Sequence, residues 1–533
     1  MGPVPELADR ARACASHLLA ADEVLLASHI DADGLTSAAI ATTALARAGL
    51  GVETVFFKQL DDEAIASLAA REYETVLFTD FGSGQLDAIV EHERAGRFTP
   101  VVADHHQPAE ADTEFHLNPL LFGIDGAAEL SGAGTTYVLA RALAVLDEDG
   151  PRAADGSGGV AVGSSRTEDD AARSADANRS ADPTRSGDGS CGDDGVGSTD
   201  ATAGRIDPEN RDLAALAVVG AVGDMQATAG ELVGANAAIV AEGTEAGVLA
   251  ETTDLSFYGR QTRPLPKLLE YQSEVDIPGI SNEEAGAVGF LRDLDLDLTA
   301  GEEAEGDWRR WVDLTDEERQ TVASALVQRA IRRGVPADRV DSLVGTTYEL
   351  VGEPAGTELR DASEFSTLLN ATARYERADV GLAVCLGNRG AALDRARTLL
   401  RNHRRNLSQG LEYVQQVGVE HTPNLQYFDA GEEIRDTIVG IVAGMALGVD
   451  GVHGGKPIVA FAAESDEETK VSGRGTGRLV REGLDLSVVM GEAARAVGGD
   501  GGGHDVAAGA TIPRGTQDAF VAAADDLVGD QLG

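Results

Sequence analysis

The sequence predicts an α/β protein: two α/β lobes around a cleft, joined by a helical or mixed middle region. Three observations carry this. Short runs rich in β-formers alternate with helix-length segments over residues 1–146, the pattern of a parallel sheet with helices on both faces. Residues 255–425 are more charged and show helical periodicity, clearest over 317–333. From Gln426 onward the strand–helix alternation returns.

Taken in order, residues 1–21 mix Glu, Asp, Arg and His with Ala and Leu and predict an amphipathic helix without the apolar core of a secretion signal. Residues 24–29 predict a buried strand, followed by a helix over 35–48. Further strands are expected at 52–57, 75–80 and 99–104. Residues 147–210 are Asp, Gly, Ser, Ala, Thr and Arg with almost no large apolar side chain, and burial there cannot offset the entropy of ordering. A disordered insertion, dispensable for chemistry, is expected. Residues 213–222 are apolar throughout and fit a strand or a buried helix equally. The first domain therefore comprises 1–146 and 211–254, the middle region 255–425, and the last domain 426–533. In the last, helices are expected at 434–447 and 486–497, strands at 457–462 and 470–474, and a glycine-rich loop at 498–503.

The chain of 533 residues has a formal net charge of −47, with 90 acidic against 43 basic residues. The only lysines are Lys58, Lys267, Lys456 and Lys470. Excess carboxylate with little lysine suits concentrated salt; the alternative is a basic partner. In molar salt the Debye length falls to about 3 Å, so global acidity does not exclude nucleic acid and local arginine placement decides. Cys14, Cys191 and Cys385 are isolated, which excludes a disulfide framework and a zinc knuckle and fits a reducing cytoplasm. No apolar run reaches the roughly 18 residues of a membrane span.

The chemistry concentrates where predicted strands end. His29, Asp31 and Asp33 alternate after the first strand and so share a face. Asp80 ends another strand, Asp104-His105-His106 a further one, and Gly223-Asp224 the apolar run after the insertion. In an open parallel sheet the carboxyl ends of the strands line one crevice. Carboxylates from Asp31, Asp33, Asp80, Asp104 and Asp224 repel one another there unless cations neutralise them, and imidazoles beside them suit a borderline transition metal. The set is too large for one ion and fits a pair of divalent cations that clamp the attacking and leaving oxygens of a phosphoryl displacement. Asn118 lies in the loop after the Asp104 strand. Ser131-Gly132-Ala133-Gly134 opens a helix, where amides can hold an anion or merely allow close packing. The 498–503 loop, with His504, Arg474 and Arg478, is a second set suited to phosphate.

The motifs HIDADG, ADHH, SGAG and GDMQ, with the strand-ending Asp80, resemble the DHH superfamily; KVSGRG with GGGHDVAAG resembles its DHH-associated C-terminal domain. The runs FTDFGSGQL, YGRQTRPL and LLNATARYER look like archaeal RecJ-like proteins, in particular the GINS-associated nuclease. The resemblance implies a single-strand exonuclease, a hydrolase acting on DNA or RNA with two Mn²⁺ or Mg²⁺ ions, in replication or repair. It implies His29, Asp31, Asp33, Asp80, His105 and Asp224 as metal ligands. His106 would contact the scissile phosphate or the metals, and Asp104 would orient the histidines. Ser131, Gly132, Arg474, Gly502, Gly503 and His504 would meet nucleic acid. A replisome role through GINS and the replicative helicase would fall to the middle region. The competing expectations are a small-substrate DHH phosphodiesterase, cleaving short oligonucleotides or cyclic dinucleotides, and a non-catalytic replisome scaffold.

Overall fold

Residues 24–28, 75–79 and 100–103 of the first domain are buried, as the inner strands of a parallel sheet covered on both faces require. The computed structural model describes residues 2–147, 161–162, 207–227, 230–272, 275–299, 308–449 and 451–533. It divides into two compact units, Met1–Asn370 with Ala378–Asn388, and Ala371–Arg377 with Arg389–Gly533.

In the first unit β1 (Glu23–His29), β2 (Gly51–Phe57), β3 (Thr75–Thr79), β4 (Thr99–Ala103), β5 (His116–Leu117) and β6 (Ala161–Val162) form one parallel sheet in the order β5-β4-β3-β1-β2-β6. Leu25, Ala27, Val76, Phe78 and Val102 pack on Ile65, Leu68, Leu86 and Ile89 of two helices, Asp62–Ala69 and Leu86–Arg94. A second group of helices packs together: Ala8–Ala20, Ala32–Arg47, Gly132–Asp147 and Ala214–Gly223.

The fold decides between the two forms open to residues 213–222, and the expected insertion falls mostly outside the described residues. Residues 213–222 form a helix, Ala214–Gly223, not a strand; despite Val218, Val219 and Val222, its small and apolar residues satisfy their backbone internally and pack between neighbouring helices. The segment 147–210 is described only at Asp147, at 161–162 and from 207 on; Ala161–Val162 is not isolated but pairs with Glu53 and Thr54 of β2. The rest, including Cys191, lies outside the described residues.

Antiparallel strands β7 (Leu249–Leu255) and β8 (Val344–Leu350) flank a subdomain with its own core, in which Phe257, Leu265, Leu269, Phe290, Trp311 and Leu326 are buried. Its helix Asp316–Arg332 starts in a reciprocal cap between Thr315 and Glu318. The stretch expected as one middle region is thus divided. Residues 256–343 build this subdomain, whereas the long helix Ala391–Val417 belongs to the second unit, where Val414 is buried with Val439 and Val442.

The second unit carries β9 (Glu420–His421), β10 (Gln426–Asp429), β11 (Ile458–Ala463), β12 (Glu468–Arg474), β13 (Asp500–Gly503) and β14 (Ala507–Pro513), in the order β13-β14-β12-β11-β10-β9. Only β10 and β11 run parallel. The expected glycine-rich loop is mostly a strand: residues 500–503 pair antiparallel with β14, so part of its backbone is committed to the sheet. No helix among the described residues is long and apolar enough to cross a membrane.

Candidate metal centre

The carboxyl ends of β1, β3 and β4 and the end of the helix Ala214–Gly223 deliver the expected acidic residues and histidines to one place. Asp31 caps the helix Ala32–Arg47 by accepting from Gly34 N–H at 3.0 Å, which fixes the turn after β1. His29 Nδ1 lies 3.1 Å from Asp31 Oδ2 and 3.5 Å from Asp80 Oδ2. Asp80 follows β3 in a left-handed backbone, φ 60°, a conformation that a non-glycine residue adopts at some cost and that marks a functional constraint. His105 Nε2 reaches Asp80 Oδ1 at 3.3 Å and both Asp33 Oδ2 and Asp224 Oδ2 at 3.8 Å. Three sets emerge whose ligand atoms lie within 4.8 Å of one another: His29, Asp31 and Asp80; Asp33, His105 and Asp224; and Asp80, Asp104, His105 and His106. Asp224 reaches the centre from the C-terminal end of a helix, not from a strand as its apolar lead-in had suggested.

The donor set fits divalent cations. Both Asp80 oxygens and Nε2 of His105 are buried without a hydrogen-bond partner, a costly arrangement unless a ligand completes them. Burial and the neighbouring Asp80 and Asp224 carboxylates push the Asp33 carboxyl well above its ordinary value. Burial, with Asp80 close by, likewise lifts Asp224 to about 6. Burial disfavours charged His29 and His105, but the adjacent carboxylates outweigh it and raise both to about 11. The carboxylates thus demand positive charge at this place, which protons on the imidazoles supply in the absence of a cation and bound cations supply in their stead. Carboxylate oxygens suit hard divalent ions and imidazoles suit borderline transition metals, so a mixed set of this kind can hold divalent cations.

Around this centre the hydrogen bonds are local and strict. Asp104 is fully buried; one oxygen accepts from the backbone of His105 and from His106 Nδ1 at 2.8 Å, the other from Ser83 N–H at 2.8 Å. His106 Nε2 is thereby turned away from Asp104, and its side chain is about half exposed. Asn118 donates to the His106 carbonyl and to Ser83 Oγ. A cavity of about 210 Å³ opens beside these groups, lined by His29, Asp80, His106, Lys58, Gln59 and Gln85. Lys58 and Gln59 lie just past β2, on the crevice that the topology rule indicates, yet neither is a ligand type and the sequence reading passed over them. Asn370, 338 residues away in sequence, accepts from Ala32 N–H at 3.0 Å; it stands in the run LLNATARYER but was given no role.

Ser131 and Gly132 require correction as nucleic-acid contacts. The helix start does hold an anion, but that anion is Asp33: Gly132 N–H donates to Oδ2 at 2.7 Å and Ala133 N–H to Oδ1 at 3.0 Å. Ser131 is buried and its hydroxyl accepts from Gly134 N–H. A Cβ on Gly132 would stand 2.4 Å from Asp80 Oδ1, so the glycine is what lets the helix approach.

In the second unit, Arg474 at the end of β12 lies opposite Ala507, while Gly503 lies opposite Ala508, so Arg474 and the 502–504 segment share one end of the sheet. Gly502, Gly503 and His504 are exposed. Burial and the nearby Arg374 hold the Arg474 guanidinium below its ordinary value, and among the described residues it makes no ion pair; Arg478, in contrast, is paired with Glu482 at 2.8 Å.

Comparison with known proteins agrees with this architecture. Residues 257–344 match the DHH-CID domain and residues 422–530 the DHHA1 domain. An uncharacterized protein of Methanocaldococcus jannaschii is 26% identical over 514 residues, covering 95% of this chain and 93% of its own. Among solved structures, exonuclease RecJ bound to manganese superposes with a TM-score of 0.55 at 16% identity, over 99% of this chain and 96% of that one. RecJ of Thermus thermophilus in complex with Mn²⁺ gives 0.54 at 15% identity; the alignment takes in 99% of this chain but only 56% of the longer Thermus chain. CDC45 of Entamoeba histolytica gives 0.59 at 10% identity, over 98% of both chains. The two matched stretches are domains of DHH-superfamily proteins, and the fold that carries the acidic centre is RecJ-like.

Proposed function

We propose that the protein is a metal-dependent exonuclease that hydrolyses phosphodiester bonds in single-stranded nucleic acid. The observation that carries this reading is the set of buried, unpartnered ligand atoms on Asp80 and His105, placed where three strand ends and one helix end converge. His29, Asp31, Asp33, Asp80, His105 and Asp224 would hold a pair of Mn²⁺ or Mg²⁺ ions. Such ions, when bound, polarise a phosphoryl oxygen and lower the pKa of a coordinated water. The chain's own residues do the rest. Asp104 keeps His106 oriented through Nδ1, so that Nε2 can meet a phosphate oxygen at the cavity mouth. The adjacent carboxylate raises the His106 pKa, which favours a protonated, donating imidazole. Arg474, Gly502, Gly503 and His504 are assigned to the phosphates of the strand.

The test is an end-labelled single strand of DNA and of RNA in molar salt, with Mn²⁺ and Mg²⁺ compared. A ladder of shortening products that EDTA abolishes is expected. Cleavage of dinucleotides alone, with long strands untouched, would turn the reading to a small-substrate phosphodiesterase.

A second role is favoured by the CDC45 likeness over nearly the whole of both chains together with the DHH-CID match. In this reading residues 257–344 dock a replisome partner such as GINS. Co-purification of GINS with the full chain, lost on exchanging the surface of that subdomain, would support it; unchanged co-purification would end it.

A further inference from the structure

Gln226 is buried at 1% exposure, two residues beyond Asp224, and its amide sits at the hub of a chain of bonds. Nε2 donates to Asp224 Oδ2 at 2.8 Å and to the Gly126 carbonyl at 2.8 Å. The same carbonyl accepts from His105 Nδ1 at 2.6 Å. On its other side Gln226 Oε1 accepts from Nδ2 of Asn236, in the helix Gly234–Glu245, at 2.7 Å. Asn236 is itself buried, at 2%, and its backbone N–H is anchored on the Glu129 carbonyl.

Each bond has a directional consequence. The Asp224 carboxylate and the Gly126 carbonyl can only accept, so the Gln226 amide nitrogen faces them, and Asn236 completes the arrangement by donating Nδ2 to Oε1. That nitrogen fixes the Asp224 carboxylate on the side that faces His105. With Nδ1–H of His105 committed to Gly126, the opposite nitrogen, Nε2, is the one directed at Asp80, Asp33 and Asp224. The turn that brings Gln226 back beneath Asp224 is a left-handed helix end. Met225 N–H bonds to the Val222 carbonyl and Gln226 N–H to the Ala221 carbonyl, with Met225 at φ 59°. Glycine is the usual residue at such a position, and Met225 gains no packing there, since it is 89% exposed. The left-handed backbone is retained for what it does to its neighbours.

We propose that Gln226 and Asn236 are positioning residues that lock Asp224 and the Nε2 face of His105 into ligating geometry. This rests on the metal-centre reading above. Hydrogen-bonding partners of metal ligands typically change metal affinity 10- to 100-fold when removed.

The test uses the full chain and the variants Gln226→Leu and Asn236→Asp, each checked for folding by circular dichroism and titrated with Mn²⁺ alone by electron paramagnetic resonance. The first variant removes both donors. The second keeps the volume of Asn236 but can only accept, so the Gln226 amide should turn over and present oxygen to Asp224. Both are expected to weaken Mn²⁺ binding by about 10- to 100-fold. Should Gln226→Leu fail to fold, Asn236→Asp decides. A folded variant that titrates like the wild type overturns the positioning role alone. A wild type that takes up no Mn²⁺ overturns the metal-centre reading, and this inference with it.

Discussion

Asp80→Asn takes one charge from the centre and keeps its volume. Asp80 is buried after β3, 3.3 Å from His105 Nε2 and 3.5 Å from His29 Nδ1, and it belongs to two of the three ligand sets. At an effective dielectric near 20, a unit charge pair at 3.3 Å is worth about 5 kcal/mol. The same carboxylate acts with similar strength on cationic charge held among these ligands, although part of that is offset because the variant no longer buries an anion. If half survives, about 2.5 kcal/mol, cation affinity falls by nearly two powers of ten. Turnover needs both cations and should fall by at least about 10²-fold. The assay is paired: cleavage of an end-labelled strand and filter binding of the same strand, in high-salt buffer with Mn²⁺. Cleavage should collapse while strand binding persists, because phosphate contact is assigned to Arg474 and His504. Cleavage within about threefold of wild type would refute the reasoning and make Asp80 structural. Loss of binding along with cleavage would refute the division of labour between the two units.

Arg474→Ala should weaken strand binding by about tenfold or more, one charge-assisted hydrogen bond's worth, and raise KM with little change in kcat; a drop in kcat alone at unchanged KM contradicts the assignment. Met225→Gly should stabilise the fold by about 1 kcal/mol, because the left-handed backbone costs glycine nothing, and a lower midpoint in urea would show that the exposed side chain has a partner. Burial lifts Glu364 from 4.5 to about 7, so the folded state holds its proton more tightly than the unfolded chain. Its contribution to stability is full below pH 4.5 and is lost as pH rises through 7. Glu364→Gln should therefore gain on the wild type by on the order of 3 kcal/mol between pH 4.5 and 8, and parallel stability curves would discount the shift.

How much of this was legible follows from where each signal lives in the chain. Three inner strands of the first unit, β1, β3 and β4, could be read because burial on both faces leaves mostly apolar runs, and these runs lead into His29, Asp80 and Asp104. Asp224 was found for a partly wrong reason. Residues 213–222 are apolar at every position, so they carry no period, and only the fold shows that a helix delivers the carboxylate. Gln226 was quoted in a motif but given no role, since glutamine is no metal ligand. Its function depends on Gly126, 100 residues before it, and on an amide arrangement completed by Asn236. Partners at such separations leave no local pattern to read.

The helix start at Ser131-Gly132 shows a different kind of miss. The physics was right: two amides at the N-terminus of a helix hold an anion. The anion belongs to the protein. Asp33 is buried among Asp80 and Asp224, which disfavour its charge, and the amides of Gly132 and Ala133 are the groups that favour it. Gly132 leaves room for Asp80, and Gly220, where a Cβ would stand 2.4 Å from Asp33 Oδ1, leaves room for the helix that ends on Asp224. These glycines and amides hold a set of like charges together in readiness for cations. An amide committed to Asp33 is not available to a substrate phosphate. On the proposed function, recognition of a strand would then draw on other groups, and in a chain of net charge −47 an arginine without an ion pair among the described residues, as Arg474 is, becomes the more telling feature.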